Sequence, residues 1–176
     1  MAHLTRLLAF AGLLTALSGR AAAADLPLEY AVKASYLYKF APFVQWPPAA
    51  FESAIDPLTI CIAGQDPFGK MLDDAVRGQR VNGHLIVVRH IDALRPGVAC
   101  HILFAGSGAG AEELLHAVAH QPVLTVTDRS RGVAGGMIQF VMVNGRVRFM
   151  IDQGAAEESG VAISSKLLGL AVSVVR

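Results

Sequence analysis

The sequence has no excess of charge of either sign. Its 176 residues include 15 lysines and arginines and 14 aspartates and glutamates. Arg6 and Arg20 are the only charged residues before position 25, so the remainder carries 13 cationic and 14 anionic side chains, a net charge of −1. This balance provides no electrostatic basis for binding nucleic acid, and we expect no nucleic-acid partner.

The sequence also lacks an apolar run of about 20 residues, the length that spans a bilayer. Its N-terminus has a basic start, an apolar run over residues 7–17, and small residues at Ala22 and Ala24. This pattern is typical of a cleaved secretory signal peptide, and the apolar run is too short for the alternative, a membrane anchor. We therefore predict a signal peptide at residues 1–24 and a single exported domain at residues 25–176.

Cysteine is scarce as well. Only Cys61 and Cys100 are present, and they do not form a Cys-x-x-Cys motif. An even pair in an exported chain predicts a disulfide rather than a metal or redox site. Closing a loop of about 40 residues would stabilise the fold by about 4 kcal/mol on the chain-entropy model. We expect a structural disulfide, with no metal and no cofactor.

Short apolar strands alternate with helical segments along most of the chain. The predicted helices cover residues 29–46, 66–78 and 111–121, and the predicted strands cover residues 57–64, 84–90, 100–106 and 122–128. Pro47 and Pro48 are expected to end the first helix, while Asp66 and Pro67 are expected to begin the second. The alternation predicts an α/β fold with a mostly parallel sheet flanked by helices.

The pattern changes near residue 137, where two apolar runs flank Asn144-Gly145, a strong hairpin signal. A two-residue turn pairs Val143 with Arg146. The alternation of side chains along each strand then divides the hairpin residues between two faces. The inner face, expected in the core, comprises Ile138, Phe140, Met142, Val147, Phe149 and Ile151. The outer face comprises Gln139, Val141, Val143, Arg146, Arg148 and Met150. We predict that Val141, Val143 and Arg148 bind a partner; alternatively, a neighbouring helix covers this late antiparallel hairpin.

Aromatic residues are concentrated in one segment near the N-terminus. Residues 36–46 contain Tyr36, Tyr38, Phe40, Phe43 and Trp46. One inward stripe of a helix, about 100° wide, would not hold them all. We therefore predict that Tyr38, Phe43 and Trp46 lie at a surface where a ligand or partner binds.

The C-terminal segment ISSKLLGLA resembles a serine–lysine dyad only superficially. Ser165 and Lys166 are adjacent and Ser164 is two positions from the lysine, so their side chains do not share a helix face. The interpretation we favour is that Ser164 or Ser165 caps a helix whose Leu167, Leu170 and Ala171 pack inward. We predict no catalytic residues.

Two further motifs resemble ligand sites. GSGAGA, residues 106–111, fits the dinucleotide fingerprint, but it follows the third predicted strand rather than the first. His116 and His120 have the i, i+4 spacing of a metal pair, but lack the glutamate of HExxH and an evident third ligand. We interpret the first motif as a flexible turn and the second as a solvated helix face.

Seven segments in order resemble the YfiR-type family of exported regulators. They are KASYLYKFAPFVQWP, LTICIAGQDPFG, CHILFAG, LTVTD, GGMIQF, NGRVRFMID and ISSKLLGLA, and the resemblance covers about residues 29–173. It implies a periplasmic α/β domain that forms a homodimer and is not an enzyme. Cys61 and Cys100 match the family's cysteine pair at the strand positions. Other members carry a second pair near the hairpin, which is absent here, so redox control through a second bridge is not expected.

The resemblance also implies partners. The protein would bind the periplasmic sensor domain of an inner-membrane diguanylate cyclase and repress cyclic-di-GMP synthesis, which disfavours biofilm. An outer-membrane lipoprotein would be a second partner that withdraws the repressor. A second hypothesis assigns a different function: the protein is a periplasmic sensor with a small-ligand pocket near the carboxyl ends of the strands.

Overall fold

The computed structural model describes residues 22–92, 99–108 and 110–176. The predicted signal peptide, residues 1–24, lies almost entirely outside these ranges, so its boundary stays a prediction. The helices in the described ranges are α1 (Ala22–Lys39), α2 (Lys70–Val76), α3 (Ala111–Ala117), α4 (Gln153–Glu158) and α5 (Ser165–Leu168). Short 3₁₀ turns occupy Ala41–Phe43, Pro48–Ala50 and Arg129–Arg131.

The strands form one large sheet and one small ribbon. They are β1 (Val44–Gln45), β2 (Leu58–Ala63), β3 (Arg80–Val81), β4 (His84–Ile91), β5 (Ile102–Ala105), β6 (Leu124–Asp128), β7 (Ile138–Val143), β8 (Arg146–Asp152), β9 (Ala162–Ile163) and β10 (Ser173–Val175). In the large sheet the spatial order is β10-β8-β7-β6-β5-β2-β4-β3, and β1 pairs with β9 in the ribbon.

Most of the large sheet is parallel. Strands β4, β2, β5, β6 and β7 run in one direction, while β3 and β8 pair antiparallel with β4 and β7. This arrangement confirms the predicted α/β class, a mostly parallel sheet with a late antiparallel hairpin. The final strand, β10, pairs parallel with β8.

Helices cover both faces of the central strands. On the front face, α1 and α2 pack with residues such as Ile60, Phe104 and Val126 in the main core. On the back face, α3 packs through Leu114 onto Leu103. Residues of β2, β5 and β6 are buried throughout, as expected of parallel strands with helices on both sides.

The hairpin has the predicted register, in which Val143 pairs with Arg146. The prediction that Met142 lies in the core is wrong, because its side chain is 40% exposed. Phe140 pairs with Asp128, the last residue of β6, so β7 continues past its neighbour at Met142. The end of the hairpin therefore projects beyond the core that buries its first half.

All three predicted helices differ from the observed ones in at least one boundary, and α1 begins at Ala22 rather than at residue 29. Helix α1 ends at Lys39 rather than Trp46, because Pro42 has no N–H group to continue the helical hydrogen bonds. Helix α2 begins at Lys70, since the Asp66 carboxylate accepts the backbone N–H of Phe68 at 2.8 Å and holds a turn there. Helix α3 ends at Ala117.

Because α3 ends early, only one of the two histidines with i, i+4 spacing lies in the helix. His120 lies outside the helix, with a left-handed φ of 64°. The prediction that His116 and His120 share a helix face is therefore wrong. The i, i+4 relation holds only where the backbone stays helical.

The C-terminal segment confirms the capping interpretation. The Ser164 hydroxyl accepts the backbone N–H of Leu167 at 3.4 Å, and Leu167 is buried. Leu170 is 57% exposed, so the prediction that it packs inward is wrong. Helix α5 is only four residues long, and a single turn cannot carry Leu170 onto the same buried stripe.

Candidate functional site

The outer side of the hairpin lies on the back face of the sheet. The six residues predicted there, Gln139, Val141, Val143, Arg146, Arg148 and Met150, share one side because Val141 pairs with Arg148 and Gln139 pairs with Met150. Val143 is 40% exposed, Arg146 and Arg148 are exposed, and Val141 and Met150 are half-buried. We call these six residues the open face. Within the described ranges, no helix buries it, in contrast to the central strands.

Three arginines surround the aliphatic part of the open face. Arg146 and Arg148 belong to it, and Arg129 reaches it from the 3₁₀ turn after β6, its Nη1 lying 3.8 Å from the sulfur of Met150. In the part of the chain that the structure describes, none of the three has a carboxylate within 4.0 Å. The open face is therefore a small aliphatic surface with uncompensated positive charge.

The aromatic segment divides between core and surface. Phe40 is buried, and Tyr36 packs with it against Phe140 and Phe149 of the hairpin. Tyr38, Phe43 and Trp46 are only partly buried and pack at the margin of the main core. These three are the residues predicted to lie at a surface, and each retains solvent-accessible area.

Trp46 borders a cavity of about 280 Å³ at the amino ends of the strands. The cavity is lined by Val44, Gln45, Trp46, Phe51, Leu58, Val81, Asn82 and His84. The Trp46 indole donates to the backbone oxygen of His101 at 3.1 Å. Phe51 stacks between His84 and His101, with ring centroids 4.1 and 4.2 Å away. The indole is thus fixed in place, with one side in contact with the cavity.

His101 is a buried neutral histidine. Its Nδ1 accepts the backbone N–H of Thr59 at 3.0 Å, which leaves the proton on Nε2, 3.0 Å from the backbone oxygen of Ala50. Burial lowers the pKa of His101 below its ordinary value of 6.5; the hydrogen bond to the Ala50 oxygen and the charge of Asp56 oppose this shift, while His84 adds to it. A second proton would also face the Thr59 N–H, so the folded state disfavours the imidazolium.

This histidine makes stability depend on pH. As the pH falls below 6.5, the unfolded chain binds a proton at His101 that the folded chain does not. The free energy of unfolding should therefore fall by up to about 1.4 kcal/mol per pH unit between the unfolded and folded pKa values. Denaturant unfolding from pH 7.5 to 5 should show this slope in wild type and lose it in His101→Gln. His116→Gln, at an exposed position, is the control; an unchanged slope in His101→Gln would contradict the assignment.

The structure does not bring the two predicted partner surfaces together. Trp46 contacts His101, just before β5, whereas Val143 lies beyond the last residue of β6. At about 3.3 Å per residue, these positions are about 25 Å apart along the strand direction. The aromatic segment and the open face are therefore two separate surfaces.

The sequence reasoning missed a buried ion cluster at the carboxyl end of β6. Lys33 of α1 is fully buried; its Nζ lies 2.6 Å from Oδ2 of Asp128 and also contacts the Glu29 carboxylate. The other oxygen of Asp128 accepts the Ser130 N–H at 3.0 Å. The i, i+4 spacing of Glu29 and Lys33 was a visible signal, but their partner Asp128 is 95 residues from Lys33 in the chain.

The glycine-rich turn brings two backbone segments together. The Gln65 N–H donates to the Ser107 oxygen at 2.8 Å, and the Gly106 N–H donates to the Ala63 oxygen at 2.7 Å. A Cβ at Gly106 would lie 2.1 Å from the Gln65 oxygen, so only glycine fits there. The close approach of two loops accounts for this glycine without a nucleotide.

The described ranges also lack two kinds of feature. They contain no group of three or more histidine, cysteine, aspartate or glutamate side chains placed to hold a metal ion. Within the same ranges, no helix combines the length and hydropathy needed to cross a bilayer. Cys61 and Cys100 form the predicted disulfide, with their Cα atoms 5.7 Å apart.

Comparison with known proteins agrees with the resemblance carried by the seven segments. A family model described as YfiR/HmsC-like matches residues 30–172. None of the curated proteins compared with the chain matches it. Members of this family are periplasmic regulators of cyclic-di-GMP signalling rather than enzymes. Since the match extends over most of its length, the chain belongs to the YfiR/HmsC-like family.

Proposed function

We propose that this protein is a periplasmic repressor that binds the sensor domain of an inner-membrane diguanylate cyclase. The observation that carries the proposal is the open face, an accessible aliphatic surface bordered by three arginines without ion-pair partners in the described ranges. Membership of a family that regulates cyclic-di-GMP signalling supports the class of partner. Repression of the cyclase lowers cyclic-di-GMP and disfavours biofilm.

The open face also defines the chemistry of the partner. Val141 and Val143 supply apolar area, and Arg146 and Arg148 supply positive charge at its border. A complementary partner surface would have an apolar patch surrounded by carboxylates. A second copy of this chain would place arginines against arginines, which costs free energy. The homodimer that we also propose therefore forms through another surface. The outer-membrane lipoprotein would withdraw the repressor by competing for the open face.

Repression follows from a difference in affinity. A regulator that binds the inactive cyclase more tightly than the active form shifts the population toward the inactive state. The shift cannot exceed the ratio of the two affinities, and a ratio of about 10⁴ is needed to move an equilibrium from 1:99 to 99:1. No catalytic residue in the repressor is required.

Tyr38, Phe43 and Trp46 form the second surface that we assign to partner binding. Their partial exposure and the cavity beside Trp46 allow an apolar side chain of a partner to enter. Because Trp46 lies about 25 Å from Val143 along the strand direction, the two surfaces serve either a wide interface or different partners.

The open face is tested by Val141→Asp with Val143→Asp. Two carboxylates on this surface would be desolvated in the complex, so we expect affinity for the cyclase sensor domain to fall by about 100-fold. Cellular cyclic-di-GMP should rise accordingly. The measurements are co-purification of the cyclase from membranes, titration of its isolated sensor domain, and quantification of the dinucleotide.

The matched control is Ile55→Asp with Leu170→Asp, which makes the same change at two exposed apolar positions outside both surfaces. This variant should bind the sensor domain as wild type does. Export and thermal stability are measured for both variants. If the Val141 and Val143 variant is stable and exported while cyclic-di-GMP stays at the wild-type level, the open face is not the cyclase contact.

A further inference from the structure

Arg131 lies at the carboxyl ends of the central strands and is held by neutral groups. Its Nη1 donates to the Tyr30 hydroxyl at 3.1 Å, and its Nη2 donates to Gln65 Oε1 at 3.1 Å and to Ser107 Oγ at 3.0 Å. The guanidinium carbon is 5.8 Å from the centre of the Tyr30 ring. These contacts fix the position of the cation, and none of them is with a carboxylate.

The donors of Arg131 are also incompletely used. A guanidinium has five N–H donors, and the three hydrogen bonds above leave about two of them free. Its Nε is buried and has no hydrogen-bond partner among the described residues. No carboxylate in those ranges lies within 4.0 Å of the guanidinium. Native proteins rarely leave a buried charged donor unpaired, so such a donor requires an explanation.

Arg131 also borders a cavity of about 270 Å³. Its lining includes Ser107, Gly110, Glu112, Glu113, Arg131 and Val133. At about 30 Å³ per water, this space holds about nine waters, which suits a ligand of metabolite size. The cavity lies at the carboxyl end of the sheet, between the loops that follow β5 and β6. Open α/β sheets bind ligands outside the carboxyl ends of their strands.

We propose that this cleft binds a small monoanionic carboxylate, paired with the Arg131 guanidinium. A planar carboxylate suits the planar donors of arginine. Glu112 and Glu113 line the same cavity and would repel a phosphate dianion about twice as strongly as a carboxylate monoanion. The proposal assigns residues and a ligand class to the small-ligand sensor hypothesis, and it does not depend on binding to a cyclase.

NMR titration of the ¹⁵N-labelled protein with sodium acetate tests the site, with sodium chloride at matched ionic strength as reference. Acetate should shift the Arg131 Nε–H signal and the backbone signals of Ser107 and Gly110 saturably. Sodium phosphate at neutral pH should bind at least about tenfold more weakly, because of the two glutamates. The Nε–H signal is assigned by its loss in Arg131→Lys.

Variants distinguish a ligand-binding role of Arg131 from a purely structural one. Arg131→Lys keeps the charge but loses the planar donors, and should weaken acetate binding by about tenfold or more. Glu112→Gln with Glu113→Gln leaves Arg131 intact and should raise the affinity for both anions, with the larger increase for phosphate. Arg148→Gln, on the open face, should leave both titrations unchanged.

Three results would overturn the inference: no saturable shift with acetate, wild-type acetate affinity in folded Arg131→Lys, or equal affinity of wild type for acetate and phosphate. If Arg131→Lys does not fold, the variant with Glu112→Gln and Glu113→Gln tests the site instead. An unchanged phosphate affinity in that variant would place the anion outside this cleft. All titrations are made without a cyclase, so their outcome is independent of the proposed repressor function.

Discussion

Replacing Asp128 with alanine should lower the free energy of unfolding by about 3 to 5 kcal/mol. Asp128 is 1% exposed, and its carboxylate lies 2.6 Å from Nζ of Lys33, which is fully buried. Removing one member of a buried pair leaves a charge that neither water nor a full set of partners compensates. The variant also loses the acceptor for the Ser130 N–H, which holds the 3₁₀ turn after β6.

The expected loss of stability is large because Lys33 is fully buried, and not because it has two ion pairs. Lys33 belongs to α1, and Asp128 ends β6, so the pair joins the first helix to the carboxyl edge of the sheet. Glu29, which is only partly buried, also contacts Lys33 and keeps part of the compensation after Asp128 is removed. An exposed pair behaves differently, because water screens both charges before and after the mutation.

Urea unfolding provides the measurement, and two comparisons sharpen it. Asp74→Ala breaks the exposed Arg77–Asp74 pair and should change stability by less than about 1 kcal/mol. A double-mutant cycle with Lys33→Met and Asp128→Leu should show a coupling of at least about 1 kcal/mol, since the double variant buries no unpaired charge from this pair. An Asp128→Ala loss no larger than that of Asp74→Ala would show that the buried pair does not anchor α1.

Features set by local chemistry were predictable from the sequence. The Asn144-Gly145 turn fixed the hairpin register, and the two-residue period then assigned each side chain of the hairpin to a face. Ser164 was identifiable as a helix cap because capping involves residues only three positions apart. The alternation of strands and helices predicted the parallel sheet, since parallel strands require crossover connections.

Features that depend on which strands become neighbours were not predictable in the same way. Asp128 was visible as the last residue of a strand, but only the sheet order brings it to Lys33. Arg131 likewise meets Gln65 and Ser107 because β2 and β5 are adjacent in the sheet. The sequence showed the surface candidates Val143 and Trp46, but not their separation, which follows from the direction of the strands.

Removing the disulfide with Cys61→Ala and Cys100→Ala should lower the free energy of unfolding by about 4 kcal/mol. The two cysteines are 39 residues apart, and the bridge closes this segment into a loop in the unfolded chain. Without it the unfolded chain gains conformational entropy, while the folded state keeps its sheet, because Cys61 belongs to the central strand β2. For a domain whose stability is typically about 5 to 15 kcal/mol, this is a large share.

The loop effect must be separated from lost packing, because Cys61 is fully buried in the back layer beside Leu103 and Leu114. Reducing wild type with dithiothreitol opens the loop but keeps both sulfur atoms, so it measures the constraint alone. We expect reduction to produce most of the loss, and the alanine variant to lose about 1 kcal/mol more through a small cavity. Oxidised and reduced wild type with equal unfolding midpoints would contradict a stabilising bridge.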